Sequence, residues 1–299
     1  MLTGITIVFV GGDARQIEVI NKCTELDAIV RVVGFDQTQE PLHGVTHESL
    51  QREVLAEADV IVLPVAGCDD QGKVVTPFSS VECFLTDELF SAISKETLVF
   101  TGIARNLLKK KSEELKFRLI ELMERDEIAI YNSIPTAEGA VMMAIQNSDI
   151  TLHGSTCVVL GLGRTGFTLA STLQALGANV RVGVRRLEHM ARATQMGWKP
   201  FATTDSKLYE GQIDLIFNTI PTMIVTAQII SKLPREAVII DLASAPGGTD
   251  FRFAEKRGVK ALLAPGLPGI VAPKTAGMII ANTISHLVME EFQLRGDEK

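Results

Sequence analysis

The sequence is short of the residues that mark several common kinds of site. Its four cysteines, at 23, 68, 83 and 157, have no paired ligand spacing. That argues against a metal centre and reads as reduced thiols in a cytosolic protein. None of its five histidines (His43, His47, His153, His189 and His286) falls on a strand-end loop of the second half, where the acid–base partner of a hydroxy acid is expected. A simple 2-hydroxyacid dehydrogenase is therefore disfavoured. No Gly-x-Ser-x-Gly elbow and no phosphate-loop lysine are present, which speaks against hydrolase and kinase chemistry. Basic residues are outnumbered, 29 Lys and Arg against 36 Asp and Glu, and the net charge of −7 gives no electrostatic case for binding nucleic acid. No apolar run reaches membrane-spanning length; residues 278–289, the most apolar late stretch, are interrupted by Asn282, Ser285 and His286. The first ten residues lack a basic segment and read as a strand, not a signal peptide.

What remains is the composition of a globular α/β protein. The length of 299 residues suggests two domains. Strand and helix patterns alternate through the first half: strands at 5–10, 29–34, 60–63, 98–101 and 128–131, with helices at 14–26, 50–58, 87–93 and 107–125 between them. The second half repeats the logic, with strands ending near Leu160, Val184, Asn218, Leu242 and Leu263. Such alternation gives parallel sheets covered by helices. The predicted class is α/β, with two Rossmann-like doubly wound parallel-sheet domains and a cleft between them. The first domain spans 1–150 and includes a crossing helix, 136–148, with Thr136 as its cap and Pro135 holding Ile134 extended. The second spans 151–299, and its C-terminal helix, 274–294, is free to pack back on the first.

The strongest signal is Gly161-x-Gly163-x-x-Gly166, placed between an apolar strand and a helix-forming run. Gly161 permits a tight turn, Gly163 lets a pyrophosphate approach the backbone, and Gly166 lets the helix pack close to the strand. Arg164 and Thr165 open the helix, whose first amides have no internal partners and can donate to an anion. The next strand ends Val184-Arg185-Arg186, where an NAD site usually carries a carboxylate for the ribose 2′-hydroxyl. Two guanidiniums suit a 2′-phosphate, so the expected cofactor is NADP. Parallel strands deliver their carboxyl ends to one edge, so Thr219, Pro221, Asp241, Ala243 and Ser244 are expected beside the same nucleotide.

The first half has a related turn, Gly11-Gly12-Asp13-Ala14-Arg15, without the third glycine and with a carboxylate where a phosphate needs positive potential. It is not expected to hold a second nucleotide; Asp13 reads as a helix cap. Residues 64–80 form a long loop at a strand's carboxyl end, a usual place for ligands. Lys274 opens the last helix, where a cation opposes the dipole and hints at an anionic partner.

Five stretches together resemble the family of the A subunit of dipicolinate synthase, from spore-forming Firmicutes: residues 11–16, 132–139, 161–166, 241–250 and 264–277. The last two are the specific ones, and the similarity runs over essentially the whole chain. The resemblance implies the fold of the formate/glycerate and alanine dehydrogenase group. It also implies NADP-linked oxidation of dihydrodipicolinate to dipicolinate in the lysine pathway. The partner it implies is the flavoprotein-like B subunit of dipicolinate synthase, with activity in the mother-cell cytoplasm during sporulation. A dicarboxylate substrate needs cations, for which Arg15, Arg105 and Lys274 are the candidates. Glu138 either orients one of them or serves as base. A homo-oligomer is expected; nucleic acid, membrane and bound metal are not. Two other readings stay open: a nucleotide-binding regulatory or scaffolding protein whose chemistry needs the B subunit, and a related amino- or keto-acid dehydrogenase.

Overall fold

A computed structural model describes residues 1–205 and 211–297, with side chains through Leu294. The chain forms two compact units, one of Met1–Ala129 with Pro273–Lys299 and one of Ile130–Ala272. The first contains β1 (Thr6–Val10), α1 (Ala14–Glu25), β2 (Ile29–Val33), β3 (Val45–Glu48), α2 (Arg52–Ala56), β4 (Val60–Val62), β5 (Lys73–Val74), β6 (Cys83–Phe84), α3 (Asp87–Ala92), β7 (Leu98–Thr101), α4 (Asn106–Leu115) and β8 (Arg118–Glu121). Helix α5 (Asp126–Asn147) runs from the first unit into the second. The second unit continues with β9 (Thr156–Leu160), α6 (Arg164–Ala175), β10 (Asn179–Val184), α7 (Leu187–Gln195), β11 (Lys199–Ala202), β12 (Leu215–Asn218), α8 (Ala227–Ile230), β13 (Val238–Asp241), α9 (Phe251–Arg257), β14 (Lys260–Leu263) and α10 (Leu267–Val271). Helix α11 (Pro273–Asp297) belongs to the first unit.

Each unit is built on a six-stranded parallel sheet. The orders are β3-β2-β1-β4-β7-β8 and β11-β10-β9-β12-β13-β14. Setting aside the small antiparallel β5–β6 hairpin, both follow the doubly wound order in which the chain reverses direction beside the first strand. The central strands are buried on both faces: Ile7, Val8, Phe9 and Val10 of β1 and Cys157, Val158, Val159 and Leu160 of β9 are fully covered. Helices on both sides make this possible, and each such side chain contributes roughly 1.5–3 kcal/mol by leaving water. Along α11, Ile280, Ile284 and Val288 pack with Val19, Ile20 and Cys23 of α1 in the first unit's core. A Cβ on Gly277 would lie 2.5 Å from the Arg15 carbonyl, so this glycine lets the two helices touch.

Three expected elements are corrected. The helix expected over 107–125 ends at Leu115. Lys116 takes a left-handed conformation (φ 67°) and donates its N–H to Ser112 O, and the chain then turns into the edge strand β8. No glycine or proline announces this break. The strand expected at 128–131 is helical, and the helix expected at 136–148 begins ten residues earlier, at Asp126. Pro135 lies inside α5 and does not force Ile134 into extended geometry. Side chains bind the helix across it: Ser133 Oγ donates to Ile130 O (2.6 Å), and Thr136 Oγ1 donates to Asn132 O (2.7 Å) instead of capping an end. Ala137, Ala140 and Ala144 then anchor the helix in the second unit's core. Gly139 has a packing reason as well, since a Cβ there would press on Leu267 and Val271 of α10.

Candidate functional site

The two units contain the same strand–turn–helix, built once closed and once open. After β1, Gly11 (φ 64°) donates its N–H to Val33 O; after β9, Gly161 (φ 94°) donates its N–H to Gly183 O, both at 2.9 Å. Two residues on, Asp13 and Gly163 are the caps of α1 and α6, with nearly the same backbone: φ −90°, ψ −168° and φ −82°, ψ −165°. Gln16 then stands where the second unit has Gly166.

In the first unit every opening of this turn is filled. The Asp13 carboxylate accepts the Arg15 N–H and is gripped by the Arg15 guanidinium, with Nη2 at 2.6 Å. Burial raises the Asp13 carboxyl's pKa, but the hydrogen bonds and charge of Arg15 outweigh that and hold it below its ordinary value. Gln16 is buried and reaches toward the Val62 and Leu63 carbonyls. Residues 74–76 lie over the turn: Gly12 donates its N–H to Val75 O (2.9 Å), and a Cβ on Gly11 would meet that same oxygen at 2.6 Å. The turn's own carboxylate and the Val75 carbonyl thus take up the donors a phosphate would use.

In the second unit the turn is tight beneath and open above. A Cβ on Gly161 would meet Thr219 Oγ1 at 2.5 Å, and one on Gly166 would collide with the Gly161 carbonyl. Those two glycines are demanded by the protein itself. A Cβ on Gly163 would meet nothing within 4 Å, and no side chain caps α6. Gly163 therefore leaves free the space in front of the first amides of a twelve-residue helix. Arg164 is exposed and Thr165 half-buried at that end.

The other expected nucleotide contacts reach the same edge of the sheet but divide into two kinds. Thr219 donates its hydroxyl to Leu160 O (2.8 Å) and so braces the glycine turn from below. Asp241 is fully buried, and its expected ligand contact is corrected: Oδ1 accepts from Asn218 Nδ2 and Ala243 N, and Oδ2 from Gly248 N and Thr249 Oγ1, at 2.6–3.1 Å. Four internal donors leave that carboxylate no face for a ligand. It fastens the loop 243–249 instead. Ala243 is buried, while Pro221 and Ser244 are exposed at the loop tips.

Arg185 and Arg186 are both exposed where β10 ends. Arg186 lies 3.6 Å from Glu188, a loose pair in solvent; Arg185 has no ion pair among the described residues. Beside them, Gly163, Arg164 and Thr168 face Glu188, His189 and Arg192 across a depression of about 560 Å³. His189 and Arg192 were missed from the sequence, although their spacing of three on α7 puts them on one helix face.

The expected carboxylate anchors also fare differently. Arg15 is not a free cation, because its fork already holds Asp13. Lys274, at the start of α11, is exposed with no ion pair among the described residues. Since Gly277 abuts Arg15 and Glu18, Lys274 and Arg15 sit at one end of the α1–α11 pair. Arg105 caps α4 at the carboxyl end of β7 and lines a separate depression of about 500 Å³. Glu138 is exposed, but it lies in the middle of α5 and not in a first turn, so the expected influence of the helix end is absent.

That second depression is roofed by a strap, residues 76–82, tied down through Asp36. Asp36 Oδ2 accepts from Ser80 N (3.0 Å) and Ser80 Oγ (2.6 Å). The Ser80 side chain, then its backbone N–H, holds the Asp36 pKa down to about 2. A depressed carboxyl contributes stability above its unfolded pKa, so the tie is complete above about pH 4 and is lost as pH falls toward 2. Carbon-detected NMR should find Asp36 titrating at about 2, below an ordinary Asp, and Ser80→Ala should return it part of the way, because the backbone N–H of residue 80 still donates. An unshifted Asp36 in the parent protein would rule out the tie.

Among the described residues no helix is long and apolar enough to cross a membrane, and no group of His, Cys, Asp and Glu could hold a metal ion. Residues 6–123 match the family described as the N-terminal domain of the A subunit of dipicolinate synthase. The chain is 49% identical to the dipicolinate synthase A subunit of Bacillus subtilis (strain 168), over 97% of this chain and 98% of the relative. The crystal structure of the corresponding A subunit from Bacillus halodurans is 48% identical, with a TM-score of 0.93 over 96% of this chain and 99% of that one. A transhydrogenase from Sinorhizobium meliloti, 17% identical, shares the fold with a TM-score of 0.68 over 95% and 94% of the two chains. With near-half identity from end to end, the chain belongs to the family of the A subunit of dipicolinate synthase.

Proposed function

We propose that the chain is an NADP-linked oxidoreductase that converts dihydrodipicolinate to dipicolinate. It works with the flavoprotein-like B subunit in the mother-cell cytoplasm during sporulation. The observation that carries this reading is the pair of turns: the first is plugged by its own Asp13, Gln16 and Val75, and the second keeps Gly163 clear for no reason internal to the protein. The residues fit the nucleotide. The α6 amides would receive the pyrophosphate, and Arg185 and Arg186, with His189 and Arg192 nearby, would receive a 2′-phosphate. The bound nicotinamide would accept a hydride.

Loss of hydride and one proton turns a dihydropyridine into an aromatic ring, so the product supplies driving force. Alignment then matters more than a strong base, and Glu138 or water takes the proton. Arg105 and Lys274, the two candidate cations without an internal partner, anchor carboxylates. The test is NADPH formation from dihydrodipicolinate by the purified chain, with and without the B subunit. Turnover only with that partner would make this chain a nucleotide-binding component of the pair. Arg185→Glu should weaken NADP binding about tenfold or more relative to NAD; an unchanged ratio would remove the 2′-phosphate assignment.

A further inference from the structure

We propose that the first unit holds its own binding site for a small carboxylate, in the depression between Arg105 and the strap, independent of the nucleotide turn. The site lies at the carboxyl ends of β4 and β7, where open parallel sheets receive ligands. Its floor is two strand-end loops drawn together. Ile103 donates its N–H to Val65 O (2.8 Å), and a Cβ on Gly67 (φ 63°) would meet Ile103 O at 3.0 Å. The turn carrying Arg105 is fixed from the other side, because Glu121 accepts the Ala104 N–H (2.9 Å) and pairs with Lys109 (2.8 Å).

Charge matching singles out Arg105. Four charged side chains line the depression: Asp69, Lys73, Glu82 and Arg105. Asp69 accepts the backbone N–H groups of Gln71 (2.9 Å) and Lys73 (2.8 Å), and Lys73 pairs with Glu82. Arg105 alone has no hydrogen-bonded or ion-paired partner among the described residues. Its charge reaches the loop, since it opposes the burial that pushes the Cys68 thiol up to about 11. A guanidinium in a concave site offers a planar fork that fits a carboxylate, and the one cation there without a partner of its own is placed to receive it. Thr76, Ser79 and Ser80 supply hydroxyl-bearing walls, and about 500 Å³ is ample for a ring of pyridine size.

The proposal rests on the reading above only for its probe, pyridine-2,6-dicarboxylate. Calorimetry on the full chain without nucleotide should show saturable binding. Arg105→Gln should weaken it about tenfold or more, while the affinity for NADP stays at the parent value. In the unaltered chain the probe should protect Arg105 from phenylglyoxal, read by peptide mass, and NADP should not. Parent-like probe binding by Arg105→Gln, no protection of Arg105, or no saturable binding at millimolar probe would each overturn the site. None of these outcomes touches the nucleotide turn, whose failure would show in the NADP titration alone.

Discussion

Gly163→Asp should melt at or slightly above the parent's temperature and bind NADP about a hundredfold more weakly or worse. The first unit shows that the change is tolerated, because Asp13 occupies the matching position with almost the same φ and ψ. A carboxylate there caps the helix, and replacing a glycine cap by aspartate changes stability by only a few tenths of a kcal/mol in the favourable direction. The same carboxylate occupies the anion's place in front of the α6 amides and repels a pyrophosphate. A stability change and a binding change of opposite sign are hard to obtain from a residue that merely shapes a turn. Gly166→Ala provides the contrast: its Cβ would collide with the Gly161 carbonyl, so binding and melting temperature should fall together. Differential scanning calorimetry with NADP titration separates the cases. Gly163→Asp binding NADP like the parent would end the nucleotide assignment.

The second turn was legible in the sequence because the spacing of Gly161, Gly163 and Gly166 encodes three separate backbone demands. The first turn was legible as a non-site for the same reason: Gln16 occupies the third glycine's place, and Asp13 brings the wrong charge. The cover over that turn was not legible. It depends on Val75, more than sixty residues away, presenting a carbonyl to Gly12, and no local pattern encodes that meeting. The local partner of Arg15 was not legible either, since a guanidinium two residues after a capping aspartate closes on it. Pro135 misled because the rule for the residue before proline is a bias in local geometry. The buried alanines of α5 and the side-chain bonds of Ser133 and Thr136 override it. The class of each strand-end residue was readable from position, but its role was not. Thr219, Asp241 and Ser244 lie on one edge, and only side-chain direction separates a brace and a fastener from an exposed tip.

Asp241→Asn should lose about 1–3 kcal/mol of stability, or roughly 5 °C in melting temperature for a unit of this size, instead of being near-neutral. Isosteric replacement is usually mild, but all four partners of this carboxylate are donors. An amide nitrogen placed at Oδ1 would face the Ala243 N–H and the Asn218 amide. The Asn218 amide cannot simply turn over, because its own oxygen accepts the Ile220 N–H and its nitrogen also donates to Ile220 O. Placed at Oδ2, the nitrogen would face the Gly248 N–H and the Thr249 hydroxyl; the hydroxyl can rotate to accept, but the N–H cannot. One buried donor is stranded in every arrangement, and the loop 243–249 must move to relieve it. That loop abuts the Ile220 and Thr222 carbonyls through Gly248, so Thr219 and Pro221 shift with it. Nucleotide affinity should therefore fall along with stability, even though Asp241 cannot touch a ligand. A folded Asp241→Asn with the parent's melting temperature would mean that the four bonds to this carboxylate are not what holds the edge together.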